Sequence, residues 1–193
     1  MFVDFRKIAL FIENLHIKNV DNRFSWVNMV SGGGKKWEVL AKSGRRNMIT
    51  GEFRCSLDEK GRLLIPAKMR ADIIGNIIIL TRGVEKCLWL FPPEEWKTFS
   101  EKLIGSTSLL QEQARLIQRR MIAPAQEAEF DRTGRIMVPQ TLREYSELKK
   151  ECIVLGLKKY IEIWAETAYL SYLEENESKF KQAAEQLGGK IAL

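Results

Sequence analysis

The side chains best suited to chemistry are two arginines, Arg62 and Arg135, each standing directly after an Asp-x-x-Gly turn. A guanidinium is planar, permanently charged and carries five N–H donors, so it suits a phosphate or the O6 and N7 edge of guanine. The two positions lie 73 residues apart, and the match around them is long. Asp58, Gly61, Arg62, Pro66 and Arg70 recur without a gap as Asp131, Gly134, Arg135, Pro139 and Arg143. The apolar positions Leu57, Leu63, Leu64, Ile65 and Met69 recur as Phe130, Ile136, Met137, Val138 and Leu142. At the same offset Gly83 falls on Gly156, Lys86 on Lys159, Leu88 on Ile161, Leu90 on Ile163 and Phe91 on Trp164. The chain therefore carries an internal duplication. One solvated arginine at a turn would mean little; two at equivalent tips look like a paired reading head.

Other chemistry is poorly supplied. The only histidine is His16, so residues 48–193 lack the histidine of a Ser-His-Asp or Cys-His site and of a histidine-ligated metal. Cys55, Cys87 and Cys152 lie far apart and form no Cys-x-x-Cys pair, which reads as buried thiols in a reducing compartment. Glu127, Glu129 and Asp131 cluster in sequence, but strand alternation would put neighbours on opposite faces. The run SGGGKKW (31–37) resembles a phosphate loop only superficially, since Trp37 stands where Ser or Thr is needed and no strand leads into it. The expectation is a non-enzyme with no catalytic residue, metal or cofactor.

Each tip needs elements to hold it. Asp at the first and Gly at the last position suit a tight turn, and the flanking apolar runs make each copy open as a β-hairpin. Pro66 and Pro139 suit the first turn of a short helix, through AKMRADII (67–74) and QTLREYSEL (140–148). IIILTRG and CIVLGLK then read as strands, as do CLWLF and YIEIW. A β-turn-β-α-β-β unit of this size buries too little apolar surface to stand alone, so the two copies should share one core. Between them, Pro92-Pro93 and Glu94-Glu95 start a helix with Trp96, Phe99 and Leu103 on one face. A break at 105–108 follows, then a second helix with Leu110, Ala114, Ile117 and Met121 on its apolar side. Residues 166–187 form a longer helix with Leu173, Phe180 and Leu187 at heptad spacing, placed to cover the core or to dock on a neighbouring subunit. The fold class is α+β, mainly β.

Residues 48–193 resemble the MraZ family of bacterial transcriptional regulators, which carry two SpoVT-AbrB-type modules. The resemblance rests on GEFRCSLDEKGRLLIPAKMR, CLWLFPPEEW, EAEFDRTGRIMVPQTLREYSEL and KKYIEIW, which span most of the chain after Met48. It implies an intertwined, swapped-hairpin AbrB-like barrel in which the Asp-x-x-x-Arg arginines contact DNA. Residue by residue, that points to Asp58 and Arg62 in the first copy and Asp131 and Arg135 in the second. Lys60 is matched by Thr133, so the second tip should bind more weakly. The resemblance also implies a ring-like homo-oligomer on repeated operator sites, and repression of the division and cell-wall gene cluster including its own operon. AbrB-like folds serve too as antitoxins or oligomeric scaffolds, which leaves a protein-binding module as the alternative.

The expected layout is an N-terminal extension (1–47), repeat one (52–94), connecting helices (95–122), repeat two (123–166) and a C-terminal helix (167–193). The formal charge is +6, yet residues 1–47 hold nine Lys/Arg against four Asp/Glu, so bulk charge says little about the repeats. The useful basicity is local: Arg54, Lys60, Lys68 and Arg70 around the first tip, Arg132 and Arg143 around the second. Of these, Arg54, Lys60, Lys68 and Arg70 suit phosphates, which set affinity and register, while Arg62 and Arg135 suit bases. No apolar run approaches a membrane span, and MFVDFRKIALFIENL is too interrupted by charge to be a secretory signal. A cytoplasmic, nucleoid-associated protein with double-stranded DNA as partner and no small-molecule substrate is expected. Residues 1–47 read as either a poorly ordered extension or translated leader DNA from a start assigned too far upstream. Trp37-Glu38, encoded by TGG then GAA or GAG, suits the second idea, because the family's operator repeats contain TGGG. The gene's nucleotide sequence tests it.

Overall fold

In the computed structural model, residues 49–105 and 110–188 are described. The chain divides into two units, Met1–Arg46 and Asn47–Leu193, and the described residues all belong to the second. The expectations for 1–47 and for the helix break after Gly105 lie outside the described residues.

The architecture is α+β and mainly β, as the sequence pattern predicts. The first copy supplies β1 (Ile49–Ser56), β2 (Arg62–Leu64), α1 (Ala67–Arg70), β3 (Ile77–Arg82) and β4 (Leu88–Phe91). The connection holds α2 (Pro93–Gly105) and α3 (Glu112–Ile117), the latter running into a π-helical turn over Gln118–Ile122. The second copy supplies β5 (Gln126–Glu129), β6 (Arg135–Met137), α4 (Gln140–Tyr145), β7 (Glu151–Lys158) and β8 (Ile161–Ala165), and α5 (Glu166–Gly188) follows. Pro66 and Pro139 stand one residue ahead of their helices, with φ of −53° and −57°, not inside the first turn. Their carbonyls accept the first helical bonds, from Met69 and Arg70 and from Leu142 and Arg143.

The two copies are interleaved. One six-stranded sheet runs β1-β7-β8-β4-β3-β5, so strands of the two copies alternate in blocks, every pair antiparallel. The expected hairpin within each copy is cut short. β1 and β2 share only the Leu57–Leu63 bridge, and β2 pairs instead with β6 in a separate two-stranded ribbon. Leu63 and Ile136 meet at the centre of that ribbon, both fully buried. They join Leu80, Leu88, Leu90, Val154, Ile161 and Ile163 in one cluster drawn from both copies. Each such side chain contributes roughly 1.5–3 kcal/mol on leaving water. Pairing across copies wins because it brings the buried faces of both ribbon strands onto the shared core, which a local hairpin on β1 would not do.

Strand register corrects the constant spacing at one place. Ile79 lies opposite Phe91, and its counterpart pair is Ile153 opposite Trp164. The fourth strands therefore keep the offset while the third strands are shifted by one residue, and Gly83 and Gly156 are not equivalent. The second copy absorbs the shift where α4 runs past Arg143 to Tyr145.

The connecting helices pack on the outer face of the sheet. Phe99 of α2 stacks on Phe91 at 5.1 Å, Trp96 lies 5.6 Å from Phe91, and Leu103 is buried. The apolar face read from the sequence is thus spent within the chain. In the next helix Ala114 and Met121 are buried, whereas Leu110, expected on the same face, precedes α3 and is exposed. Alpha-helical spacing no longer applies beyond Gln118, where the amide of Ala123 bonds back to that residue's carbonyl in a wider turn. Helix α5 is anchored at its start by Tyr169 and Tyr172 against Trp164 and by Glu166, 3.1 Å from Arg54. None of its residues is buried, and Leu173, Phe180 and Leu187 stay exposed.

Candidate nucleic-acid interface

Both turns close in the same way. The amide of Gly61 donates to the carbonyl of Asp58 and that of Gly134 to the carbonyl of Asp131, each at 2.9 Å. The aspartate carboxylates then gather the turn's own amides: Oδ1 of Asp58 accepts from Lys60 (3.0 Å) and Arg62 (2.9 Å), and Oδ1 of Asp131 from Thr133 (2.8 Å) and Arg135 (2.9 Å). This satisfies polar backbone that the tight turn leaves without ladder partners. The turn-shaping duty assigned to both aspartates is therefore seen.

The guanidiniums are treated differently. Arg62 donates through Nε to Oδ2 of Asp58 at 2.8 Å, leaving both Nη groups for other acceptors. In the second tip the hydroxyl of Thr133 also donates to Asp131, at 2.7 Å, and the Arg135 side chain reaches across to Asp58, with Nη1 3.5 Å from Oδ2. One carboxylate thus orients two arginines from two copies. Neither is sealed inside, since the Arg62 and Arg135 side chains are 35% and 41% exposed. Exposed ion pairs of this kind are weak, so an incoming phosphate or base can compete for the guanidiniums.

Each tip also depends on the other copy. The carbonyl of Gly61 accepts from the amide of Val138 (2.9 Å), and that of Gly134 from Ile65 (3.1 Å). Gly61 and Gly134 have φ of +79° and +81°, where glycine is favoured, and each faces the arginine of the opposite helix, Arg143 and Arg70 respectively. A Cβ on Gly134 would stand 2.3 Å from Cζ of Arg70. Sequence reasoning missed these two clamps. The signal was present, because Arg70 and Arg143 recur with the motif as faithfully as Arg62 and Arg135 do.

The remaining candidates are spread around the first tip. Lys60 and Lys68 are exposed. Arg54 is 77% exposed on β1, paired with Glu166. Arg70 is half-buried, its Nε bonded to the carbonyl of Ile65 at 2.9 Å, so it supports the ribbon from behind. Around the second tip Arg132 is exposed and Arg143 half-buried.

Comparison with known proteins finds the same duplication. The family described as "MraZ protein, putative antitoxin-like" matches twice, over residues 48–120 and 121–190, so each match contains one tip. The chain belongs to the MraZ family. A Treponema denticola protein named transcriptional regulator MraZ is 50% identical over 140 residues, 72% of this chain and 97% of that protein. A Treponema pallidum protein of the same name is 43% identical over 141 residues (73% and 95%), and one from Natranaerobius thermophilus 39% over 140 residues (72% and 96%). Membership of the MraZ family sets catalysis aside.

Within this MraZ-type tip the electrostatics favour permanent charge. The amide of Arg62, then its guanidinium, hold the Asp58 carboxyl below the usual carboxylate range. For Asp131 the Thr133 hydroxyl comes first, followed by the amide of Arg135, and the result is about 2. Both carboxylates therefore stay anionic at physiological pH and brace their turns. Among the described residues there is no group of three or more His, Cys, Asp or Glu placed to hold a metal ion. Nor, among the described residues, is any helix long and apolar enough to cross a membrane.

Proposed function

We propose that the chain is a transcriptional regulator that binds double-stranded DNA sequence-specifically through the β2–β6 ribbon. The observation that carries this is the ribbon itself: two equivalent tips, joined edge to edge, present Arg62 and Arg135 on one outer face. The major groove of B-DNA admits a two-stranded β-ribbon, and an arginine can donate two bonds to guanine O6 and N7. Asp58 and Asp131 hold the tips, Lys60, Arg54 and Lys68 meet phosphates, and Arg70 adds its remaining donors from behind. The naming of the relatives as transcriptional regulators supports the same reading.

A single ribbon reads few bases, so selectivity comes from several subunits on repeated sites, with avidity gains on the order of 10²–10⁴. The exposed stripe of α5 supports homo-oligomerisation. A ring-like assembly that represses its own division and cell-wall operon, in the cytoplasm at the nucleoid, completes the proposal. Selection of bound fragments from random duplexes, followed by gel shift with Arg62→Ala, tests it. Each bidentate contact gives about 1–3 kcal/mol of discrimination, so a loss of roughly 5- to 150-fold per site is expected. An unchanged affinity in folded Arg62→Ala would refute it. The second reading, a protein-binding AbrB-like module of antitoxin or scaffold type, is favoured by the same stripe on α5 and by the family's description. Salt separates them, because phosphate-borne binding weakens steeply with ionic strength and an apolar helix contact does not.

A further inference from the structure

Ribbon register leaves two apolar side chains in an unexpected place. Leu63 and Ile136 point to the core and are fully buried, so Leu64 and Met137, one residue further along each strand, point outward, 44% and 50% exposed. They occupy equivalent positions in the two copies. In the register Arg62 stands opposite Met137, and Leu64 opposite Arg135. The outer face of the ribbon is therefore four residues deep in meaning: two cations and two apolar side chains, alternating along and across the strands.

We propose that Leu64 and Met137 read thymine, by packing against its C5-methyl group in the major groove beside the bases read by Arg62 and Arg135. This rests on the DNA-binding reading of the ribbon and names a second part of its code. The methyl is the one apolar feature that a base pair displays on the major-groove floor. A face that mixes guanidiniums with bare methyl and methylene groups matches a surface that mixes guanine acceptors with thymine methyls. Other occupants fit worse. A second copy docked face to face would have to bury four arginines between the two ribbons. A purely apolar protein partner would have to bury Arg62 and Arg135, each already sharing the single carboxylate of Asp58.

The test begins with the duplex that the full-length chain selects from a random pool. It is resynthesised with deoxyuridine in place of each thymine in turn, which removes only the methyl. Binding is followed by fluorescence anisotropy, with sedimentation and circular dichroism as controls on assembly and folding. One methyl has about the worth of a buried methylene, ~0.8 kcal/mol, or about fourfold in affinity, and two about fifteenfold. The wild-type chain should lose these factors at specific thymines. Leu64→Ala/Met137→Ala should bind thymine and uracil duplexes equally while remaining dependent on Arg62. Leu64→Met and Met137→Leu should keep the discrimination. Equal wild-type binding to both duplexes would overturn the inference, as would a double alanine variant that still discriminates. A double variant that changes assembly size and leaves discrimination untouched would assign the pair to a subunit contact and overturn it too. If no duplex is selected at all, the DNA reading falls and this one with it.

Discussion

Gly134→Ala probes the interlock of the two copies directly. The new methyl would stand 2.3 Å from Cζ and 2.5 Å from Nε of Arg70, on a backbone with φ of +81°. Holding a non-glycine residue in left-handed backbone costs about 1–2 kcal/mol. The guanidinium lies at the end of a flexible side chain and can move, but moving forfeits its 2.9 Å bond to the carbonyl of Ile65, worth about 1 kcal/mol. The expected total is a loss of about 2–3 kcal/mol. Arg70→Ala alone removes that bond and its packing, for about 1–2 kcal/mol. In the double variant the clash has no partner left, so the two losses should overlap by about 1 kcal/mol. Urea denaturation of all four proteins at one fixed concentration measures the cycle, fixed because any assembly adds to apparent stability. Strict additivity would refute the clamp and reduce Gly134 to a local turn requirement. Gly61→Ala with Arg143 provides an internal contrast. There the nearest approach is 2.7 Å and the Arg143 Nε has no hydrogen-bond partner among the described residues, so the coupling should be smaller.

Three further outcomes are expected. The carboxylate of Asp131, brought from an ordinary 3.8 to about 2, contributes stability that is fully present above pH ~4 and lost as pH falls through about 2. Carbon-detected NMR titration should report the low value in the native protein and a higher one in Thr133→Ala; no change in that variant would dismiss the hydroxyl as the main cause. Native-state alkylation followed by mass spectrometry should label Cys55 first, because it is half-buried, whereas burial pushes Cys152 up to about 12 and Cys87 higher still. Early labelling of Cys87 would contradict its position beside Trp89. Phe180→Glu on the exposed stripe of α5 should lower the sedimentation coefficient without loss of helix or of thermal stability of the monomer. An unchanged assembly would remove α5 from the subunit interface.

The duplication was legible because turn chemistry is local. Asp58, Gly61 and Arg62 announce a tight turn from their own preferences, and the aspartate carboxylates collect the amides within four residues of themselves. Trp96, Phe99 and Leu103 were legible for the same reason, as one face of a single helix. The partner of β2 was not. Leu63 alternates correctly for a strand paired with β1, and equally for one paired with β6; nothing within twenty residues separates the two. Arg70 was read only as part of the basic surroundings of the first tip; its structural duty, a bond to the carbonyl of Ile65 and a place against Gly134 of the other copy, was not legible.

The amino-acid sequence alone determined what each segment could be: two Asp-x-x-Gly-Arg tips, α+β elements in a fixed order, apolar alternation, no histidine beyond His16. Such properties follow from backbone preferences and side-chain periodicity, which act over a few residues. The tertiary structure decided which strand pairs with which, and so which side chains stand together. It put Arg62 and Arg135 around one carboxylate, set Leu64 and Met137 outward between them, and placed Arg70 and Arg143 behind each other's turn. Those outcomes come from burying a core that neither copy can enclose by itself, and that requirement is satisfied only between segments some seventy residues apart.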